Sequence, residues 1–243
     1  MKVDILTLFP EMFAPVLGAS MLGRAAEKGL LAVNTVNIRD FADNKHSRAD
    51  DAPFGGGAGM VMMAQPVFDA LRSVDAQRKR ILYMSPRGRR LDGDLARELA
   101  REEELVILCG HYEGIDERIL DYWKPEEVSI GDYILTGGEL AAMVVIDASV
   151  RFIPEVLGND SSVMGESVYS GLIEYPQYTR PRSFEGLEVP EVLLSGNHRA
   201  IRLWQLEQAC RITSQRRPDL WEAYLAESEG LTKEERKIIE KFR

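Results

Sequence analysis

The chain has 243 residues, a hydrophobic content of 45% and a formal net charge of −9. This length allows one large domain or two modest ones around a real core, and no segment approaches the roughly 20 apolar residues of a membrane helix. The acidic balance is unfavourable for nonspecific nucleic-acid binding, which usually depends on a surplus of basic residues. We therefore expect a soluble globular protein whose partners include neither a membrane nor DNA.

The amino-terminal stretch MKVDILTLFP is predicted to be the first strand. Asp4 interrupts its apolar residues and Pro10 closes it, whereas an export signal needs a longer uninterrupted apolar stretch. Cys109 and Cys210 are far apart and form no Cys-x-x-Cys pair, so neither a disulfide framework nor a zinc site is indicated. The three histidines also lack metal-ligand spacing. These features favour the reducing cytoplasm.

Strand-like and helix-like segments alternate along the first two thirds of the chain. The predicted strands are VDILTLF, AVNTVNI, RILYMS, ELVILCG and EVSIGDYIL. In the helix-like stretch LDGDLARELAREEE, apolar Leu91, Leu95 and Leu99 recur at the spacing of one helix face. This alternation predicts an α/β domain with a largely parallel sheet over residues 1–158.

The pattern changes after residue 158. The polar, glycine-containing stretch 159–170 predicts an interdomain linker. Beyond it helical patterns dominate, notably HRAIRLWQLEQACRI, for which Asn197 is the expected N-cap. We therefore predict a small, mainly helical carboxyl-terminal domain over residues 171–243.

Three glycine-bearing motifs lie at the ends of predicted strands: LYMSPRGR (82–89), LCGHYEGIDER (108–118) and SIGDYILTGGEL (129–140). In open α/β sheets ligands bind beyond the carboxyl ends of the strands, where glycine lets the backbone approach a ligand closely. A turn explains any one of these motifs equally well, but three at successive strand ends favour one shared pocket. None reads G-x-G-x-x-G, so a dinucleotide cofactor is disfavoured. A fourth motif, PFGGGAGM (53–60), lacks the Gly-Lys-Ser/Thr ending of a P-loop.

The window from Ser195 to Arg217 is basic within this acidic chain. It contains five arginines and a single acid, Glu207. Two interpretations remain open, a solvated helix face and a stripe that binds phosphate groups.

Seven collinear blocks of sequence carry a resemblance to a known family. They are LFPEMF, DDAPFGGGAGMVM, CGHYEGIDER, SIGDYILTGGELAAM, RFIPEVLG, YPQYTRP and VLLSGNH. Over essentially its whole length the chain resembles the bacterial tRNA (guanine-N1)-methyltransferases, the TrmD family of the SPOUT methyltransferases. The resemblance implies a SPOUT-type knotted parallel-sheet domain with a deep trefoil knot, and a homodimer. It also implies S-adenosylmethionine as cofactor and methylation of N1 of the guanosine 3′ to the tRNA anticodon, at position 37.

The resemblance also implies which residues contact the cofactor. Mapped block by block, these are Tyr83, Ser85, Pro86, Gly110, Tyr112, Glu113, Gly114, Ile130, Gly131, Tyr133, Leu135, Gly137 and Gly138. Arg87 and Ala141 stand where the family often has glutamine and proline. SIGDYILTGGEL is thereby expected to form part of the knot around the cofactor.

Methylation of guanine N1 requires loss of the N1 proton, so charge builds on O6 and the site needs a base near N1 and a cation near O6. By resemblance the cation is Arg151. The family's usual linker motif Asp-Ser-Phe reads Glu-Ser-Val here, which places Glu166 as the general base with a side chain one methylene longer. Mg²⁺ is also implied, with Glu113 as its candidate ligand.

For the RNA, the resemblance implies that both subunits build each site. The residues expected to hold the extruded base are His46, Arg48, Asp50, Asp51, Gly55, Gly56 and Gly57. The expected phosphate contacts are Arg199, Arg202, Arg211, Arg216 and Arg217. An acidic chain can thus act on tRNA through a local basic surface.

Two other classes of protein remain as alternatives. A noncatalytic RNA-binding module would keep the fold and lose the base, and only the change from aspartate to Glu166 favours it. A small-molecule dehydrogenase would suit the α/β pattern but needs the absent dinucleotide fingerprint. Methyl transfer from labelled cofactor to total tRNA separates all three.

Overall fold

The computed structural model describes residues 1–157, 167–227 and 230–243. The chain divides into two compact units, Met1–Gly158 and Asn159–Arg243. Each unit has its own hydrophobic core. Across the described ranges, every helix is too short or too polar to span a lipid bilayer.

The first unit alternates strands and helices. In chain order they are β1 (Lys2–Thr7), α1 (Ala14–Leu17), α2 (Ser20–Glu27), β2 (Ala32–Asn37), β3 (Asp50–Asp51), β4 (Val61–Met62), α3 (Ala64–Ser73), β5 (Arg80–Arg90), α4 (Gly93–Leu99), β6 (Glu104–Cys109), α5 (Glu117–Trp123), β7 (Glu126–Ser129) and α6 (Glu139–Val150). Short 3-10 helices occupy Pro10–Met12, Ile38–Phe41 and Ala76–Arg78.

Five strands form the central sheet, in the order β2-β1-β6-β5-β7, and every pairing between them is parallel. The predicted α/β fold with a parallel sheet is thereby confirmed. Because the strands are parallel, the carboxyl ends of β6 and β7 lie at one edge of the sheet, where Cys109 pairs with Met84 of β5 and Ser129 pairs with Arg90 of β5. LCGHYEGIDER and SIGDYILTGGEL begin at the ends of β6 and β7, whereas LYMSPRGR lies within β5, which extends beyond the predicted strand RILYMS.

Alternate residues of the strands face two separate cores. On β6, Leu105 and Ile107 point to one core, which α2, α4 and α6 cover. Val106 and Leu108 point to the other, which α3 and α5 cover. The period of two follows from the pleat of a strand, and burial on both faces explains why the strands read as almost continuous apolar runs.

The last predicted strand is shorter than its sequence suggests. We expected EVSIGDYIL to be extended as far as Leu135, but β7 ends at Ser129. Gly131 has a φ of +153°, and the Ser129 hydroxyl both accepts a hydrogen bond from the Gly131 amide (3.2 Å) and donates one to its carbonyl (3.1 Å). This local turn takes the chain out of the sheet, so residues 130–138 form a loop.

The second unit contains β8 (Ser183–Phe184), β9 (Leu187–Glu188), α7 (Glu191–Leu194), α8 (His198–Arg216), α9 (Pro218–Glu227) and α10 (Lys233–Glu240). Asn197 caps α8 as predicted, because its side chain accepts a hydrogen bond from the Ala200 amide at 3.1 Å. The β8–β9 hairpin was not predicted, since strands of two residues leave no period to detect. Cys210 lies in the core of this unit and Cys109 in that of the first, and both are free thiols. Burial raises the pKa of both, that of Cys210 to about 11.

Candidate active site

A cavity of about 490 Å³ opens beside the ends of β6 and β7 and the middle of β5. Its walls come from three segments, residues 83–87, 110–117 and 128–141. All thirteen side chains or glycines predicted to contact a cofactor line this one cavity: Tyr83, Ser85, Pro86, Gly110, Tyr112, Glu113, Gly114, Ile130, Gly131, Tyr133, Leu135, Gly137 and Gly138. Residues separated by more than 50 positions in sequence are thus brought together by the parallel sheet.

Two of the glycines allow chain segments to touch. The Gly138 amide donates a hydrogen bond to the Gly110 carbonyl at 2.9 Å. A Cβ at Gly138 would lie 2.9 Å from the Cys109 Cα, and one at Gly110 would lie 2.9 Å from the ring of Tyr83. Real Cβ atoms do not approach other atoms this closely, so both positions require glycine for the 130–138 loop to cross the end of β6.

Several lining residues were absent from the prediction. They are Met84, Arg87, His111, Ile115, Glu117, Val128, Ser129, Ile134, Thr136 and Ala141. Each is adjacent or close in sequence to a predicted residue, so the three motifs already indicated the parts of the chain from which the cavity is built. Arg87 bonds Glu127 through its Nε at 3.2 Å, which keeps the guanidinium at the rim of the cavity.

The segment that includes Asp50 lies directly beside the cavity. β3 and β4 pair as a short antiparallel ribbon, and the Met62 amide donates to the Gly114 carbonyl at 3.0 Å. The Tyr112 hydroxyl donates to Asp50 Oδ1 at 3.2 Å, and Tyr112 itself adopts a left-handed φ of +60°. The predicted base-holding segment and the predicted cofactor loop are therefore in contact.

The remaining predicted base-holding residues surround this ribbon. The Asn44 side chain organises the turn before it by accepting hydrogen bonds from the His46 and Arg48 amides, at 3.3 and 2.8 Å. Both of these side chains are exposed. The three consecutive glycines have φ values of +89°, +78° and +131°, with open space around each α-carbon: Gly55, Gly56 and Gly57. These residues are accessible to a large substrate but do not line the cavity.

Of the two predicted catalytic residues only Arg151 is described, and it does not line the cavity. Arg151 follows the last turn of α6, whereas Gly138 and Ala141, which line the cavity, lie at its first turn. With 12 residues and a rise of 1.5 Å each, the two ends of α6 are about 18 Å apart. Glu166 lies outside the described residues.

Glu113, the predicted Mg²⁺ ligand, packs against Gly59 and is not part of a cluster of potential metal ligands among the described residues. A Cβ at Gly59 would lie 2.6 Å from the Glu113 carboxylate, so this glycine makes room for the acid. Within the part of the chain covered by the structure, no three His, Cys, Asp or Glu residues are grouped as they would be around a metal ion. The Mg²⁺ site therefore stays a prediction.

The arginines of the second unit are mostly held in ion pairs. Arg199 pairs with Glu234 at 2.8 Å, and Arg202 pairs with Glu235 at 3.3 Å. Arg217 pairs with Asp219 (Nε to Oδ1, 2.8 Å), whereas Arg211 donates to the neutral amide of Gln208 at 2.7 Å. Arg216 has no side-chain partner among the described residues. The Arg217 guanidinium lowers the pKa of Asp219 to about 2. All five arginines are exposed, and three of them, Arg199, Arg202 and Arg217, are paired with an acid.

Taken together, these features define an α/β protein with a cavity of small-ligand size at one edge of a parallel sheet. The family model described as "tRNA (Guanine-1)-methyltransferase TrmD" matches residues 1–223. The chain therefore belongs to the TrmD family of tRNA (guanine-1)-methyltransferases, and it is an enzyme of that family. The resemblance carried by the seven motifs is confirmed, and the dehydrogenase alternative is wrong.

Curated relatives cover almost the whole chain. A tRNA (guanine-N(1)-)-methyltransferase of Streptococcus agalactiae serotype Ia is 54% identical over 100% of this chain and 94% of its own length. A protein with the same name from Anoxybacillus flavithermus is 53% identical over 100% of this chain and 98% of its own length. Another from Clostridium tetani is 51% identical over 98% of this chain and 97% of its own length. The chain is thus similar to these enzymes in both units.

Proposed function

We propose that the protein transfers a methyl group from S-adenosylmethionine to N1 of the guanosine 3′ to the tRNA anticodon, at position 37. The observation that carries the proposal is the convergence of thirteen predicted cofactor contacts on one cavity, in a chain whose whole length matches methyltransferases. Transfer of a methyl group from a sulfonium to nitrogen is the chemistry that the cofactor supplies when bound.

The cavity fits such a cofactor. Its volume of about 490 Å³ is within the roughly 300–1,000 Å³ of small-molecule sites. Ile130 and Leu135 offer apolar surface for a flat base, and the glycine-rich segments expose backbone groups that can read its edge. Glu113 and Glu117 bring negative charge to the wall, which suits a cationic sulfonium.

A trefoil knot is supported by the crossing at the cavity. The 130–138 loop returns over the end of β6, where Gly138 bonds Gly110 and Gly137 forms an isolated bridge with His111. Threading one segment across another at this distance needs positions without side chains. We assign this crossing to the knotted part of the domain.

For the reaction, Glu166 would accept the N1 proton while the new N1–CH₃ bond forms and the bond from sulfur to carbon breaks. Arg151 would donate hydrogen bonds to O6 and stabilise the negative charge that builds there. Both groups act on the base, so neither has to touch the cofactor. The resemblance offers Glu113 as a ligand for Mg²⁺, but the described residues form no group of potential metal ligands around it, so no step of the proposed reaction uses the metal.

A homodimer is supported by the position of Arg151. This residue lies about 18 Å along α6 from the cavity-lining end of the same helix. An arginine side chain is too short to cover that distance, so we take the arginine at each cavity to come from a second copy of the chain. We therefore assign each active site to two protomers, one giving the cavity and the other giving Arg151.

The RNA would contact both units of the protein. The extruded guanine would lie between the ribbon that includes Asp50 and the turn that includes His46 and Arg48, with the exposed glycines above it. The helical unit after the 159–170 linker would bind the tRNA backbone. Such an enzyme works on the tRNA of the cytoplasm, which is its expected location.

Methylation of purified tRNA with labelled S-adenosylmethionine tests the function directly. We expect label in N1-methylguanosine after nuclease digestion, and no label in a transcript whose guanosine 37 is replaced by adenosine. Label in another nucleotide, or none with folded protein and unmodified tRNA, would contradict the proposal.

A charge-neutral variant next to Arg217 tests the RNA-binding surface. Asp219→Asn is expected to free Arg217 for a phosphate, so tRNA should bind more tightly and the slope of log K against log salt should steepen by about one unit. The matched control is Glu222→Gln on the same helix, because it removes the same charge and Glu222 has no ion-pair partner among the described residues. Equal changes in the two slopes, measured by filter binding, would show that Arg217 makes no phosphate contact.

A further inference from the structure

A buried carboxylate lies next to the cavity without forming part of its wall. Glu139 is the first residue of α6 and is only 1% exposed. Its Oε1 accepts a hydrogen bond from the Thr7 hydroxyl at 2.6 Å, and its Oε2 lies 2.7 Å from His111 Nε2. Each carboxyl oxygen of Glu139 therefore has one side-chain partner.

The direction of the Thr7 hydrogen bond is fixed by its surroundings. The Thr7 hydroxyl accepts a hydrogen bond from the Phe9 amide at 2.9 Å, so its own proton is available for Glu139. The Phe9 ring packs against the His111 ring, with centroids 4.9 Å apart. Glu139 also lies in the first turn of a helix, where an acidic side chain is favourable. The carboxylate is thus satisfied on both oxygens.

The three residues join three separate parts of the sheet edge. Thr7 ends β1, His111 follows β6, and Glu139 follows the 130–138 loop. A Cβ at Gly137 would lie 2.3 Å from His111 Nε2 and 2.5 Å from Glu139 Oε2. Only glycine at this position lets the carboxylate and the imidazole meet, so the glycine serves the contact as well as the cavity.

Displacement of the loop would break this contact. If residues 137 and 138 moved away from the end of β6, Glu139 would lose His111 and remain buried with a single partner. A buried polar group that loses a hydrogen-bond partner is strongly disfavoured. The contact therefore favours the arrangement in which the loop lies against residues 110–114, which is the arrangement that forms two walls of the cavity.

We propose that Thr7, Glu139 and His111 form a positioning unit that holds the 130–138 loop against the end of β6 and thereby sets the affinity for the cofactor. Thr7 and Glu139 do not line the cavity, so they act through the loop and through His111. The identity of the cofactor rests on the proposed function, but the unit itself rests on the contacts above.

Two variants at Thr7 test the unit with little change in volume. Thr7→Val removes the hydroxyl. We expect the Kd and KM for S-adenosylmethionine to rise about tenfold, because the loss of one hydrogen bond to a buried polar group costs about that much binding free energy. The kcat at saturating cofactor should stay within about threefold, because no reacting atom is touched. Thr7→Ser keeps the hydroxyl and should restore wild-type Kd. Glu139→Gln should raise Kd at least as much as Thr7→Val.

Calorimetry, steady-state kinetics and thermal unfolding on the full-length protein distinguish the outcomes. If Glu139→Gln fails to fold, the Thr7 pair still decides the question. Unchanged Kd in folded Thr7→Val, a fall in kcat at constant KM, or no rescue by Thr7→Ser overturns the positioning unit. Failure of the wild-type protein to bind S-adenosylmethionine contradicts the proposed function instead, so the two failures are separable.

Discussion

Glu166→Gln is expected to slow single-turnover methylation by roughly 10²- to 10⁴-fold, the range in which general bases contribute. Guanine N1 is a far weaker acid than a free carboxylic acid of pKa about 4.3, so proton transfer to an unperturbed carboxylate is uphill. Arg151 at O6 would reduce that gap by stabilising the anion, and closure over the base would desolvate the carboxylate. The glutamine variant keeps the shape of the side chain but cannot accept the proton.

The matched control is Glu166→Asp, which restores the residue usual in the family and should retain substantial activity. Cofactor and tRNA binding should be unchanged in both variants, because the loss affects the transition state. Near-normal methylation by Glu166→Gln would show that Glu166 is a solvated linker acid. The base would then have to be sought among Asp50, Asp51 and Glu113, which lie on or beside the cavity and its ribbon.

Mixed dimers of two inactive variants are expected to regain activity. Gly110→Val places a side chain against the Tyr83 ring and drives it into the cavity, so this variant should not bind cofactor. Arg151→Ala keeps the cavity and loses the group that stabilises O6. If each site combines the cavity of one protomer with Arg151 of the other, a heterodimer of the two variants has one site with both changes and one intact site.

We expect such heterodimers, isolated with two different affinity tags, to recover about half of the wild-type rate, because a two-fold dimer has two sites. Each parental homodimer should stay inactive, and Gly110→Val should still unfold cooperatively. An absence of recovery would place cavity and arginine on the same chain. Light scattering that detects monomer alone at the working concentration would refute the dimer altogether.

Much of the candidate site could be predicted because parallel strands converge at their carboxyl ends. Once LYMSPRGR, LCGHYEGIDER and SIGDYILTGGEL were assigned to strand ends, their residues had to approach one another, and they line one cavity. The extent of β7 was not predictable in the same way. Ile130, Tyr133 and Leu135 are apolar because they face a ligand cavity, and from sequence alone they resemble a strand buried in the sheet.

Contacts between residues that are far apart in the sequence could not be predicted either. Thr7 and Glu139 are 132 positions apart, and nothing local marks either as a partner of the other. The basic window showed five arginines and one acid, whereas the acids that pair with Arg199 and Arg202 belong to α10. A count of charges describes one segment of the chain. The electrostatic potential at a ligand depends on every segment that packs nearby.

The shared charges of these arginines have a consequence for turnover. An arginine that is paired with Glu234, Glu235 or Asp219 must open that pair before it can reach a phosphate, so each acid competes with the RNA for its arginine. When the tRNA dissociates, the same acid would pair with its arginine again, which offsets part of the free energy lost when the contact with the phosphate breaks. If this surface binds tRNA as we propose, we expect it to bind the RNA less tightly and to release it faster than an unpaired basic patch would. Fast release would then favour an enzyme that leaves each tRNA after a single methylation.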